Sequence, residues 1–185
     1  EMAEEQGLTV DEEGFRAEME EQVKRSRAAA QFGQVQGEDI PWEWLGPKDA
    51  AHSEFVGYDR LVADSTAVAR RRRGEEWELL LDITPFYAEG GGQVGDRGRL
   101  TDAAGVPFEL AAVVKADGLH VHRVRPRAGA EPGPGPYRAE VDLEARRGTE
   151  RNHTATHLLH AALKRHVGTH VTQAGSLVAP DRLRF

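Results

Sequence analysis

Apolar positions along the chain follow three successive patterns. In the first segment Phe15, Met19 and Val23 stand four residues apart, a narrow stripe on one face of a helix. Thr9-Val10-Asp11-Glu12 reads as a capping box, and the spacing predicts a helix over 11–30. Acids crowd its first turns, and Lys24, Arg25 and Arg27 its last, which suits the helix dipole. Gly33, Gly37, Pro41, Gly46 and Pro47 then break regular structure, so 31–50 reads as a linker pinned by Trp42 and Trp44.

From His52 to Leu143 the period shortens to two. Strands are predicted at Glu54–Tyr58, Arg60–Ala63, Ser65–Ala69, Glu76–Leu81, Arg99–Thr101, Phe108–Leu110, Ala111–Lys115, Leu119–Val124 and Tyr137–Leu143. Turns are expected at Arg70–Gly74, Asp102–Gly105 and Asp117-Gly118, and a Pro/Gly loop at Glu131–Pro136. Short strands at this spacing suggest an antiparallel, barrel-like sheet. A helical period returns over 147–166, followed by a β-like start at His170–Leu177. The fold class is therefore α+β: an N-terminal helix and linker over 1–50, a β-barrel-like part over 51–145, and a helix-led part over 146–185.

Composition narrows the setting. A chain of 185 residues, 39% hydrophobic, can bury one fair-sized core. With no cysteine there is no disulfide framework, and any metal site must use histidine and carboxylates. No apolar run or leader predicts a membrane span or secretion, so the cytoplasm is the expected location. The net charge of −7 does not announce a nucleic-acid binder. The acids, however, concentrate at the start. Residues 1–21 hold nine against one arginine, leaving 23 basic and 22 acidic residues elsewhere. Arg70–Arg73 and Arg123, Arg125 and Arg127 could then contact phosphates, or simply form a solvated turn and strand face. The start at Glu1 and the stop at Phe185 read as cuts through a larger protein.

Two stretches carry candidate chemistry. In the late helix, His153 and His157 lie four residues apart and so share one face, where both can reach one cation. Ala155, Leu158, Leu159 and Ala162 form the opposite, apolar side, expected to pack on a core. The alternative is a histidine-rich amphipathic helix with no metal. The H-E-x-x-H protease signature is not met. The second stretch is Thr84-Pro85-Phe86-Tyr87-Ala88-Glu89-Gly90-Gly91-Gly92-Gln93-Val94-Gly95-Asp96. Three glycines suit turns with positive φ or close backbone approach, unless they make only a flexible hairpin. Pro85, Phe86 and Tyr87 anchor one end, and Thr84 and Gln93 offer a hydroxyl and a carboxamide to a small polar substrate. The P-loop pattern is absent.

Together these stretches resemble the editing domain of the alanyl-tRNA synthetase family. The 84–96 stretch is similar to the loop that opens that domain, and His153–Leu163 to its H-x-x-x-H helix. His170–Val178 and Arg182–Phe185 are similar to the segment after it, while 9–30 resembles the end of the tRNA-recognition helices. The resemblance makes 146–185 the truncated start of an α/β editing subdomain. It implies hydrolysis of seryl or glycyl esters wrongly attached to alanine tRNA, so the partners are that tRNA and its mischarged forms. It makes His153 and His157 zinc ligands and places Thr84 and Gln93 in the amino-acid pocket. The family completes its zinc site with a downstream Cys and His, which this chain lacks. The isolated chain is therefore expected to be inactive, with ATP and Mg used only by an aminoacylation domain outside it. A free-standing alanyl-tRNA editing hydrolase and a non-catalytic tRNA-binding module are the alternative readings.

Overall fold

The computed structural model describes Gly14, Arg16, Glu18 and Glu21, then residues 40–47, 53–116, 118–173 and 175–185. Residues 1–39 and 40–185 form two separate compact units. In the first, Gly14, Arg16, Glu18 and Glu21 are helical. The rest of the helix expected over 11–30 lies outside the described residues, as do 31–39 and 48–50 of the expected linker.

The second unit contains twelve strands among its described residues: β1 (Glu43–Trp44), β2 (Glu54–Phe55), β3 (Val62–Ser65), β4 (Ala67–Arg73), β5 (Glu76–Leu81), β6 (Ile83–Thr84), β7 (Gly98–Asp102), β8 (Pro107–Ala116), β9 (Leu119–Pro126), β10 (Tyr137–Val141), β11 (Leu177–Val178) and β12 (Leu183–Arg184). Helix α1 spans Leu143–His166. Eight strands form one sheet in the order β1-β4-β5-β9-β8-β7-β10-β3, and each described pairing in it is antiparallel. The α+β expectation holds at this level.

The sheet is not a closed barrel. Closure would require β3 to pair with β1 at the far end of the order, and among the described residues β3 pairs with β10 and β1 with β4. That makes β1 a correction too. Trp44 belongs to the sheet rather than to an irregular linker, and Trp42 precedes the strand and packs beside it. Trp44 pairs with Ala69, and both tryptophans cover a small apolar cluster of Val68, Ala69, Leu80 and Val121. The opposite face carries the main core, including Leu79, Leu81, Phe86, Leu100, Phe108, Val113, Val124 and Tyr137. Burial on both faces explains why Trp77–Leu81 is a nearly continuous apolar run.

Element boundaries moved for identifiable reasons. Arg70–Arg73, read as a turn, continue β4 and pair with Leu79, Glu78, Trp77 and Glu76. The first three segments shortened or shifted, to Glu54–Phe55, Val62–Ser65 and Ala67–Arg73. Residues 108–115, read as two strands, fall in one strand, Pro107–Ala116, with a bulge between Leu110 and Ala112. Helix α1 begins four residues before the expected 147 because the Asp142 carboxylate caps it, accepting from the Ala145 N–H at 3.0 Å. The end at His166 matches. Its apolar side does not pack as expected: Leu158 is 67% exposed and Leu159 39%, while Arg146, Gly148, Thr149 and Thr156 are buried. No helix among the described residues is long and apolar enough to cross a membrane.

Candidate functional site

The glycine-rich loop is an ordered turn. Gly90 and Gln93 exchange backbone hydrogen bonds of 3.1 and 3.0 Å, and Gly91 and Gly92 between them have φ of 60° and 82°. Positive φ at both central residues makes a tight hairpin turn of the kind glycine favours. Gly92 also meets a neighbour: a Cβ there would lie 2.7 Å from the Ser176 carbonyl oxygen. That closeness lets Val178 donate to the Gly92 carbonyl at 2.8 Å and Val94 to the Val178 carbonyl at 3.0 Å. The turn is thus stitched to β11.

Asp96 and Arg146 hold the other end, and neither was singled out in the sequence. The Asp96 carboxylate accepts from the Tyr87 N–H at 2.7 Å, and the Asp96 N–H donates back to the Tyr87 carbonyl at 2.9 Å. Arg146, in the first turn of α1, reaches Asp96 with Nε at 2.9 and 3.1 Å. It also donates to the carbonyls of Gly57 at 2.8 Å and Pro85 at 3.0 Å. Both residues are buried, and hydrogen bonding to Asp96 raises the Arg146 pKa further, against the effect of burial. This charged pair fixes the helix to the loop, so α1 enters at one angle. The local signal in the sequence was weak: an aspartate ending a loop and an arginine four residues after a helix cap.

That angle brings Gln93 and His153 together across 60 residues. Gln93 Oε1 lies 2.6 Å from His153 Nδ1. Since a carboxamide oxygen can only accept, Nδ1 carries the proton, and the neutral ring keeps its lone pair on Nε2. A histidine oriented in this way resembles metal-binding histidines, whose second nitrogen commonly donates to an oxygen. The His157 ring centroid lies 5.0 Å from that of His153. Both rings are exposed. The donor type and spacing suit zinc, but they supply half of a tetrahedral shell. No group of three or more metal-ligating side chains occurs among the described residues.

Thr84 is placed differently. It is fully buried in β6, and its Oγ1 lies 2.8 Å from His122 Nε2 and 3.2 Å from the Phe86 N–H. His122 Nδ1 faces the Leu79 carbonyl at 3.2 Å, so Nδ1 donates and Nε2 must accept from the threonine hydroxyl. The single Thr84 proton is therefore engaged, leaving one lone pair on Oγ1. Complete burial pushes the His122 pKa down to about 3, so the ring is neutral at physiological pH. His122 was missed in the sequence because it occupies an ordinary inward position of β9.

The arginine clusters are largely committed to internal pairs. Glu78, 1% exposed, lies 2.6 Å from Arg71, 3.0 Å from Arg123 and 3.3 Å from Arg73. Arg70 pairs with Glu43 at 2.8 Å and Arg125 with Glu76 at 2.7 Å. The Arg71 guanidinium lies over Trp42, 4.2 Å from the ring centroid. Each such partner lowers what these arginines can offer a phosphate.

The family model described as tRNA synthetases class II (A) matches residues 1–133. The chain belongs to the class II tRNA synthetases. Similar curated relatives are the alanine--tRNA ligases of Halorhodospira halophila, 47% identical over 194 residues, Pelotomaculum thermopropionicum, 46% over 196, and Geobacillus kaustophilus, 45% over 195. Each match covers all of this chain. The chain spans about a fifth of these relatives, 21–22% of their length. The class II model stops before α1, so the histidine helix is covered only by the matches to these ligases.

Proposed function

We propose that this class II synthetase segment belongs to an enzyme that charges tRNA with alanine, and that its own site hydrolyses seryl or glycyl esters wrongly attached to that tRNA. The Gln93–His153 contact carries this reading, because it joins the two stretches whose chemistry is complementary. One supplies a carboxamide on a rigid turn, the other a paired imidazole.

A synthetase pocket sized for alanine cannot exclude glycine by size, and serine differs by one hydroxyl. Such differences give discrimination of roughly 10- to 200-fold, which leaves work for a second, hydrolytic site. Gln93 orients His153 by accepting from Nδ1 and leaves Nε2 facing outward with His157. A zinc ion held by that pair would supply Lewis-acid chemistry at the ester. With two ligands from this chain, the remaining positions would be filled from outside it. Thr84, its proton engaged by His122, would accept a hydrogen bond from a serine hydroxyl rather than donate one, and the substrate would have to reach a buried oxygen. Proofreading of seryl over alanyl esters follows from that acceptor, since alanine has no proton to offer it.

The test is hydrolysis of seryl-, glycyl- and alanyl-tRNA by the full-length enzyme carrying this region, with and without Gln93→Ala. Serine and glycine release should fall about 10-fold or more in the variant, the scale expected when a group orienting a metal ligand is lost. Hydrolysis no faster than in buffer, or unaffected by the substitution, would overturn the reading. A binding module without catalysis remains the second reading, favoured by the two-ligand donor set. It predicts that the enzyme retains tRNA while releasing no amino acid.

A further inference from the structure

An aromatic cluster stands beside the site and takes no part in the chemistry above. Phe55 in β2 pairs in register with Thr84 in β6, so it marks the outer neighbour of the buried threonine. Its ring stacks on His120, with centroids 6.0 Å apart and planes 12° from parallel. The Tyr58 ring meets Phe55 edge-on at 5.0 Å, and that of Tyr87 at 6.3 Å. Tyr58 is 86% exposed, the most open of the large apolar side chains described.

An aromatic ring left in water gives up much of the free energy its burial would return. The three rings also form a continuous path to the site. The Tyr87 hydroxyl lies 4.0 Å from where a Cβ on Gly90 would stand, and Gly90 opens the turn that ends at Gln93. We infer that Tyr58, braced by Phe55 and Tyr87, is a stacking shelf for an unpaired nucleobase of an RNA strand, setting the strand's end against the Gly90–Gln93 turn. Nucleobases stack on exposed aromatic faces without regard to sequence, and a strand end must be held before an ester on it can meet a fixed turn. The inference rests on the proposed reading for the choice of RNA as ligand.

Charge around the shelf is mixed, with a slight excess of acids. Glu54, Asp59 and Glu89 stand against Arg60 and Lys115, all exposed, so no basic row surrounds it among the described residues. Retention should therefore come from stacking, with a shallow dependence on salt, unlike binding through a row of phosphate contacts.

The test uses this chain and an uncharged RNA hairpin with a single-stranded 3′ tail, carrying a fluorescent adenine analogue at its last position. Stacking should quench the analogue on binding. Tyr58→Ala should weaken that binding about 5- to 160-fold, the range for losing one base–aromatic stack, while Tyr58→Phe should preserve it. Because Tyr58 is largely exposed and loses an edge-on contact with Phe55, the alanine variant should stay folded and unfold only a few degrees below the parent chain. Absence of quenching in the unaltered chain, undiminished binding in Tyr58→Ala, or equal quenching of an analogue placed in the duplex stem would each overturn the shelf. The RNA carries no ester, so the two readings fail separately. Tyr58-dependent quenching without hydrolysis by the full-length enzyme sinks the proofreading reading alone. Hydrolysis of subsaturating seryl-tRNA that is unaltered by Tyr58→Ala in that enzyme sinks the shelf alone.

Discussion

Two corners of the unit are rich in charged and polar side chains, and they behave oppositely. At the β4–β5–β9 corner three arginines converge on one buried carboxylate, Glu78. At the corner between the Gly90–Gln93 turn and α1, one hydrogen bond orients His153 and leaves its second nitrogen directed outward beside His157. The first cluster looked like a phosphate site by composition, yet its donors are engaged by acids on neighbouring strands. The second contains fewer polar groups but retains coordinating capacity at an exposed surface. Unspent hydrogen-bonding or ligating capacity, rather than the density of chemical groups, distinguishes the candidate site from the structural ion pairs.

The largest expected effect breaks the frame of the second corner. Arg146→Met should leave the Asp96 carboxylate buried without its cation and the Gly57 and Pro85 carbonyls without a donor. Removing one member of a buried charged pair costs about 3–5 kcal/mol, readable by urea unfolding. An Arg146→Met chain as stable as the parent would show that the pair does not organise the loop.

Acid should act next. His122 titrates at about 3 when folded and near 6.5 when unfolded. The unfolded state therefore binds the proton more readily between those values. Its contribution to stability is complete above about pH 6.5 and is lost as the pH falls towards 3. His122→Gln, neutral throughout, should flatten that part of a stability-versus-pH curve measured by urea unfolding. An unchanged acid slope would place its origin elsewhere.

Thr84→Val sharpens the contrast between buried and exposed chemistry. It removes the donor to His122 Nε2 while keeping shape, so stability should fall by about 1–3 kcal/mol whatever Thr84 does for a substrate. Thermal unfolding of this chain measures that cost. In the full-length enzyme, a selective loss towards seryl over glycyl esters would reveal the additional substrate contact. Equal losses towards both would confine Thr84 to supporting the fold.

The smallest expected effect tests the first corner. Glu78→Gln should cost about 1–2 kcal/mol, since Arg71, Arg73 and Arg123 are partly solvated and water screens their repulsion. The same change frees three guanidinium groups and should raise non-specific RNA affinity at low salt, measured by filter binding. No gain in affinity would mean that these arginines are turned away from solvent even when released.

Much was legible in the chain. The change of period from 3.6 to 2 and back located the sheet and α1, because side-chain direction depends on local backbone geometry. The Gly90–Gln93 turn was legible because positive φ at consecutive positions selects glycine. Strand limits around Arg70–Arg73 were not, since arginine is at home in a turn or on a paired strand, and Glu78 is seven residues away. The pairing of Trp44 with Ala69 was equally hidden, although it makes β1 one edge of the sheet.

The sequence by itself determined which residues could do chemistry and the local element holding each: Thr84 before a stiff loop, Gln93 at the end of a glycine turn, His153 and His157 on one helix face. Tertiary structure decided which of them meet. Gln93 touches His153 because Arg146 and Asp96 fix the helix to the loop across 50 residues, and Thr84 is withdrawn from the surface by His122 on another strand. Local periodicity follows from backbone sterics within a few residues. Contacts between distant segments depend on how burial and buried polar pairing are satisfied by the whole unit at once.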